Sequence, residues 1–223
     1  METIIIGKLS YQELELAKKM INEGFTKACL SMSQILQNSV NIKGMDLAIE
    51  EINDDLMCTE KTGKNVHVLK TELKGDLEGI SHLVFSESDV STLHNICLPP
   101  AMLLEDNLKT KKMKWAILVE AANLVASAVL NQLGNYLNLM VMPNVPSLKV
   151  MNGEKVNEHI QGESLTHDYP IKLKATFYCP NLDVSLDLIW LLEKNFIDNV
   201  KTTAGKSTVN LHQVPSKRVA QYA

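Results

Sequence analysis

"MKWAILVEAANLVASAVLNQLGNY", residues Met113 to Tyr136, decides how the rest of the chain must be read. At about 100° per residue, Trp115, Leu118, Ala122, Ala126, Val129, Leu133 and Leu137 fall on one apolar face. Ala116, Glu120, Asn123, Ser127, Asn131 and Gly134 form a second stripe that is small or polar throughout. The spacing predicts one long helix within roughly 107–137, followed by Pro143 and Pro146. Glu120, Asn123, Asn131, Gln132 and Asn135 interrupt it too often for a membrane span, which needs ~20 apolar residues. The apolar face therefore has to be buried inside a folded body.

Upstream, a second helix announces itself. Ser10-Tyr-Gln-Glu13 matches a capping box, in which the Ser and Glu side chains each satisfy an orphan backbone N–H. Leu14, Ile21, Phe25, Ala28, Met32, Ile35 and Leu36 then recur at helical spacing. "VNIKGMDLAIEEI", "VHVLKTEL" and "GISHLVFS" read as strands, and "SESDVSTLHNICL" as a short helix ended by Pro99-Pro100. After the quoted helix the order repeats. "LKV", "IKLKATFY" and "LDVSLDLIWLL" read as strands, the last two as a hairpin across Cys179-Pro180-Asn181, with a helical stretch from Glu193 to Val200.

A shift of 101 residues lays Asn22 on Asn123, Met32 on Leu133, Leu36 on Leu137 and Val40 on Val141. The expectation is an α+β fold, internally duplicated about a pseudo-two-fold axis, with long helices packed on a mainly antiparallel sheet. Residues 1–200 form a single domain of two repeats, about 10–100 and 107–200, and 201–223 a polar C-terminal tail.

Composition narrows the function. With 45% hydrophobic and 22% charged residues the chain reads as a globular protein, and its net charge of −4 argues against nucleic acid as a partner. Lys109, Lys111, Lys112 and Lys114 form a local basic cluster, either a solvated helix entrance or a patch for an acidic partner. The N-terminus lacks the features of a signal peptide. Four scattered cysteines without a C-x-x-C pair fit reduced thiols and a cytoplasmic location, with Cys29 a buried packing residue. The six histidines never take close ligand spacing, so no metal is expected. "AGKST" at 204–208 mimics the end of a P-loop, but the glycine it requires is Val200.

Glu120 and Asn123, at i and i+3, project side by side from the small-residue stripe. Read alone, the pair marks either the wet side of an amphipathic helix or a site placed on a rigid element. An unpaired carboxylate is too expensive in a dry core, so the stripe should meet solvent or a partner. Spacing cannot decide between the two. E-x-x-N recurs at Glu50–Asn53 and Glu154–Asn157, and a proline 23 residues past the Asn occurs at both Pro146 and Pro180.

Context adds a resemblance. "VEAANLVASAVLNQLGNYLNL" with Pro146 resembles the signature helix of the CheC/CheX/FliY family of chemotaxis phosphatases, and "ACLSMSQILQNSVNI" resembles the helix leading into that family's first strand. The resemblance spans about residues 10–200 and implies a CheC-like fold. It further implies a phosphatase for the phospho-aspartate of a CheY-type response regulator. Asn123 would orient the attacking water, and Glu120 would meet the regulator's lysine. No cofactor of its own is implied; Mg²⁺ would sit on the regulator. A CheD-like partner and, by analogy with CheX, a homodimer are compatible with it. Two departures stand out. Ala116 occupies a position where the family often carries Asp or Ser, and in the first repeat Lys19 replaces the Glu while Asn22 survives. Lys19 would repel a lysine, so the resemblance implies one working site and a degenerate one at Lys19 and Asn22. The alternative is a non-catalytic adaptor that docks a regulator or a CheD-like protein.

Overall fold

The computed structural model describes residues 4–5, 9–49, 64–167 and 169–211. In chain order the elements are β1 (Ile4–Ile5), α1 (Tyr11–Leu36), β2 (Asn41–Ile49), β3 (Asn65–Gly75), β4 (Gly79–Ser86), α2 (Glu87–Cys97), α3 (Pro100–Leu103) and α4 (Leu108–Leu137). They continue as β5 (Val141–Pro143), β6 (Ser147–Asn152), α5 (Val156–His167), β7 (Ile171–Cys179), β8 (Val184–Leu192) and α6 (Asn195–Leu211).

The long helices start and stop where local chemistry directs. Ser10 caps α1 with the full capping box: its backbone N–H donates to Glu13 Oε2 at 2.6 Å, and its hydroxyl accepts from the Glu13 N–H. Asn107 caps α4, its Oδ1 accepting from the Thr110 N–H at 2.9 Å. At the other end, Gln37 and Asn138 adopt left-handed φ values of 52° and 54°. Both backbone N–H groups, and those of Asn38 and Leu139 behind them, donate to the carbonyls of Ser33 and Gly134. Each of these pairs lies 101 residues apart, so the repeat shift holds at the level of single hydrogen bonds. The helices differ at their starts: α4 has 30 residues against 26 for α1, about one extra turn.

The strand order is β1-β2-β7-β8-β4-β3-β5, with β6 also paired to β3. Every pairing is antiparallel except β1 with β2. From the central β4–β8 pair the order reads alike in both directions: β3 and then β5 and β6 one way, β7 and then β2 the other. The expected duplicated α+β fold with a mainly antiparallel sheet is the one observed.

One face of the sheet carries α1 and α4, packed antiparallel to each other, and this layer holds the main core. Phe25 of α1 meets Phe177 of β7 edge-on at 6.1 Å, beside Leu69, Leu83, Leu188 and Trp190. Close approach of the helices depends on Gly24, where a Cβ would lie 3.2 Å from Val129 Cγ1 and 3.3 Å from its Cα. Gly75, at φ +113°, ends β3 where a Cβ would sit 2.0 Å from the Met140 carbonyl oxygen. The opposite face is covered by α5, whose Val156 and Ile160 pack with Val66, Val68, Ile80, Ile189 and Leu191. Covered on both faces, β4 and β8 read as nearly continuous apolar runs rather than alternating ones.

Three details differ from the sequence reading. The first is α5, a helix that "VNEHIQGESLTH" does not advertise because it buries few side chains. The second concerns the expected polar tail from 201. Residues 201–211 continue α6, which is seated on the core by Phe196, Ile197 and Val200. "AGKST" thus lies within a helix, not in a loop that could wrap phosphate. Residues 212–223, like Cys58, the end of the strand expected through Ile52 and the Glu50–Asn53 pair, lie outside the described residues. The third is α4 itself. It is long and apolar enough to cross a membrane, yet the predicted apolar face from Leu118 through Ala122, Ala126, Val129 and Leu133 to Leu137 is committed to the core, while Trp115 is exposed at 45%.

Candidate functional site

On α4 the two predicted stripes separate as expected. Val119, Ala121, Ala122, Val125 and Ala126 are buried and hold the helix against α1 and the sheet. Glu120 is exposed and Asn123 half-exposed on the other side, flanked by exposed Ala116, half-exposed Ser127 and exposed Asn131. Every neighbour on that stripe is small or short, so the carboxylate and the amide are open to an approaching surface. Among the described residues neither side chain has a hydrogen bond or ion pair, although both sit on a helix clamped along its length. Such a pair is fixed in position and uncommitted in bonding.

The degenerate counterpart is built differently. Lys19 and Asn22 are both exposed on α1. The Lys19 ammonium lies 5.8 Å from the centroid of the Tyr136 ring, and the Tyr136 hydroxyl donates to Glu23 Oε1 at 2.8 Å. That hydrogen bond to a carboxylate raises the phenol's pKa, with the Lys19 charge working against it. Here the charge is engaged with an aromatic side chain from α4, whereas Glu120 faces outward unengaged. The structure brings Glu120 together with Asn123 and Lys19 together with Asn22, but keeps the two pairs apart on antiparallel helices.

Around the start of α4, Lys111 pairs with Asp106 at 2.9 Å, which lowers the Asp106 pKa, and Lys114 Nζ donates to the Leu103 carbonyl. His94 of α2 meets the Lys114 carbonyl through Nε2 at 3.0 Å, and burial lowers its pKa. These contacts tie α2 and α3 to α4 just before Glu120. Among the described residues no group of three His, Cys, Asp or Glu side chains is arranged to hold a metal ion. Cys29 is buried, with its thiol pushed up to about 11 by burial. Met140 and Met142, just after α4, are exposed.

One polar cluster escaped the sequence reading because its members are scattered. On the α5 face, Glu163 Oε2 meets Nε2 of fully buried His82 at 2.6 Å, and Glu163 Oε1 accepts from Lys70 Nζ at 2.9 Å. Burial pushes the Glu163 carboxyl up, but the hydrogen bonds and charges of His82 and Lys70 outweigh it and hold the group at about 2. A helix there was the missing signal.

No family model matches the chain, and no curated protein matches it in sequence. Solved structures do match in shape. FliY from Thermotoga maritima superposes with a TM-score of 0.59 at 14% identity, covering 89% of this chain and 98% of that one. CheX from Borrelia burgdorferi, in a complex with CheY, BeF3 and Mg²⁺, does so at 0.51 and 16% identity, covering 78% and 98%. FliM from H. pylori, in a complex with SpeE, does so at 0.54 and 8% identity, covering 90% and 98%. At these identities the likeness establishes the shared fold, the one that the sequence resemblance implied.

Proposed function

We propose that this protein is a phosphatase of the CheC/CheX type, acting on the phospho-aspartate of a CheY-type response regulator from the face of α4. The observation that carries this reading is the uncommitted Glu120–Asn123 pair on a rigid, small-residue surface. The CheX structure in complex with CheY, BeF3 and Mg²⁺ supports the choice of partner.

An aspartyl phosphate is already activated, and in this reading Mg²⁺ belongs to the regulator. The phosphatase need only place a water in line with the P–O bond to the carboxylate. The Asn123 amide is suited to placing it, since its oxygen accepts a hydrogen bond from the water while its NH₂ donates to a phosphoryl oxygen. The water oxygen bonds to phosphorus, the P–O bond to the aspartate breaks, the carboxylate leaves, and the proton goes to the released phosphate. Glu120, without a cation partner among the described residues, is available to a lysine of the regulator. Ordering of this kind accelerates the reaction without a nucleophile from the phosphatase. Lys19 and Asn22 form the degenerate counterpart, because a lysine there would repel the partner's lysine. A cytoplasmic location follows from that partner. A CheD-like protein or a second copy of this chain are further candidates for binding.

A second reading, a non-catalytic docking module, draws on Ala116 and on the FliM likeness, since one fold hosts several roles. Phosphoryl decay of a phosphorylated CheY-type regulator, with wild-type protein and with Asn123→Ala, separates the two. Acceleration by wild type that the variant loses is the expected result. Acceleration that survives Asn123→Ala would move the chemistry elsewhere. Binding without acceleration would establish the docking module.

A further inference from the structure

The pseudo-two-fold relates each place on α4 to one on α1, and one pair of counterparts is unequal. Where the end of α1 meets the start of α4, Ile35, Leu98, Met113, Ala116 and Ile117 line an apolar groove of about 440 Å³ with Glu120 on its rim. The 101-residue shift lays Ile35 on Tyr136, Glu120 on Lys19, Ile117 on Leu16 and Ala116 on Glu15. At the first-half position the larger side chain is in place: the Tyr136 ring lies under Lys19, with its hydroxyl tied to Glu23. At one counterpart the chain's own aromatic ring stands beside the charge. At the other, Ile35 is shorter than tyrosine and Ala116 has no reach.

We propose that the open groove receives an apolar side chain of the phosphorylated response regulator, and that it sets which regulators the site accepts. This rests on the reading given under Proposed function. The occupant follows from continuity. Glu120 belongs both to the groove and to the Glu120–Asn123 pair, and Asn123 lies three residues on, roughly 4.5 Å along the helix axis. A partner whose phospho-aspartate reaches Asn123 covers the groove, since a standard interface spans about 800 Å² per partner. Charge agrees with this. Lys109 and Lys112, exposed and without an ion pair among the described residues, stand about three turns or less before Glu120, where an anionic phospho-protein gains from them. An apolar side chain would displace water from the groove at no cost in hydrogen bonds, whereas a polar one would lose its own.

Filling the groove tests the proposal. Ile35→Tyr transplants the first-half side chain, and Ala116→Phe fills the same space from an exposed position. Tyr136→Ile opens the first-half counterpart as a control. Phosphoryl decay is followed over a range of concentrations of a Mg²⁺-loaded phosphorylated CheY-type regulator, alongside thermal melts. The expected result is a KM raised about 10- to 100-fold in both filled variants, with kcat within about threefold of wild type and no change in Tyr136→Ile. In a Cys58→Ser background, alkylation of Cys97, on the groove wall, should be slowed by the beryllofluoride-activated regulator. An unchanged KM in Ala116→Phe with a normal melt overturns the proposal, as does alkylation of Cys97 that the regulator leaves unslowed. Should Ile35→Tyr not fold, Ala116→Phe decides. If Asn123→Ala abolishes an activity that both filled variants retain at wild-type KM, the groove proposal alone falls. If wild type neither binds nor accelerates decay, both readings fall together.

Discussion

Glu120 and Asn123 stand three residues apart, yet the proposed chemistry gives them different roles, which kinetics can separate. Glu120→Gln removes a charge that meets only the partner, so KM for the regulator should rise about tenfold with kcat little changed. Because Glu120 is exposed and uncommitted, the unfolding free energy of that variant should stay within about 0.5 kcal/mol of wild type. Gly24 is the opposite case, with no chemistry and a tight place. Its missing Cβ lets α1 approach Val129 to van der Waals contact, and the Val129 Cα cannot swing away as a side-chain tip can. Gly24→Leu should therefore cost about 1–3 kcal/mol in denaturant unfolding, despite leucine's better helix propensity. Nothing in the sequence around "NEGFTKA" distinguishes this glycine from an incidental one. Its meaning comes from a residue 105 positions away.

The helix ends were legible at the scale of elements because capping is local: Ser10 with Glu13, and the stop at Leu36, follow from residues a few positions apart. The duplication makes a sharper prediction there. Gln37 and Asn138 occupy equivalent left-handed caps, a conformation that costs most L-residues about 1–2 kcal/mol and glycine almost nothing. Gln37→Gly and Asn138→Gly should both raise stability in thermal melts, by about 0.5–1 kcal/mol at Gln37 and less at Asn138, since asparagine tolerates this region better. Destabilisation at either position would mean that the cap side chain does more than endure its backbone. The helix α5 and the end of α6 went unseen for a common reason. The stretches "VNEHIQGESLTH" and "KTTAGKSTVNL" carry few apolar residues, so the apolar periodicity that betrays a helix is weak in both.

The two faces of the sheet divide the labour of the whole molecule. The α1–α4 layer carries the candidate site, and the α5 face is tied by Glu163 to His82 of β4 and Lys70 of β3. Held at about 2 against an ordinary 4.5, the Glu163 carboxyl adds stability that is complete above its unfolded value. That stability is lost as pH falls from near 4.5 through about 2, and amounts to about 2–3 kcal/mol. Glu163→Gln should flatten this acid limb of the stability curve in urea titrations, and a limb of unchanged slope would remove Glu163 from the account. The sequence by itself determined the two long helices, the longer strands, the 101-residue duplication and the solvent-facing stripe of α4 with its Glu120–Asn123 pair, because periodicity and capping act within a turn or two of chain. Only the tertiary structure decided which of the two pseudo-equivalent places is open. That outcome depends on whether Ile35 or Tyr136 reaches across from the facing helix, and on what Lys19 and Glu23 hold once it does. Contacts between residues some hundred positions apart arise only when the helices pack, so no local pattern can encode them.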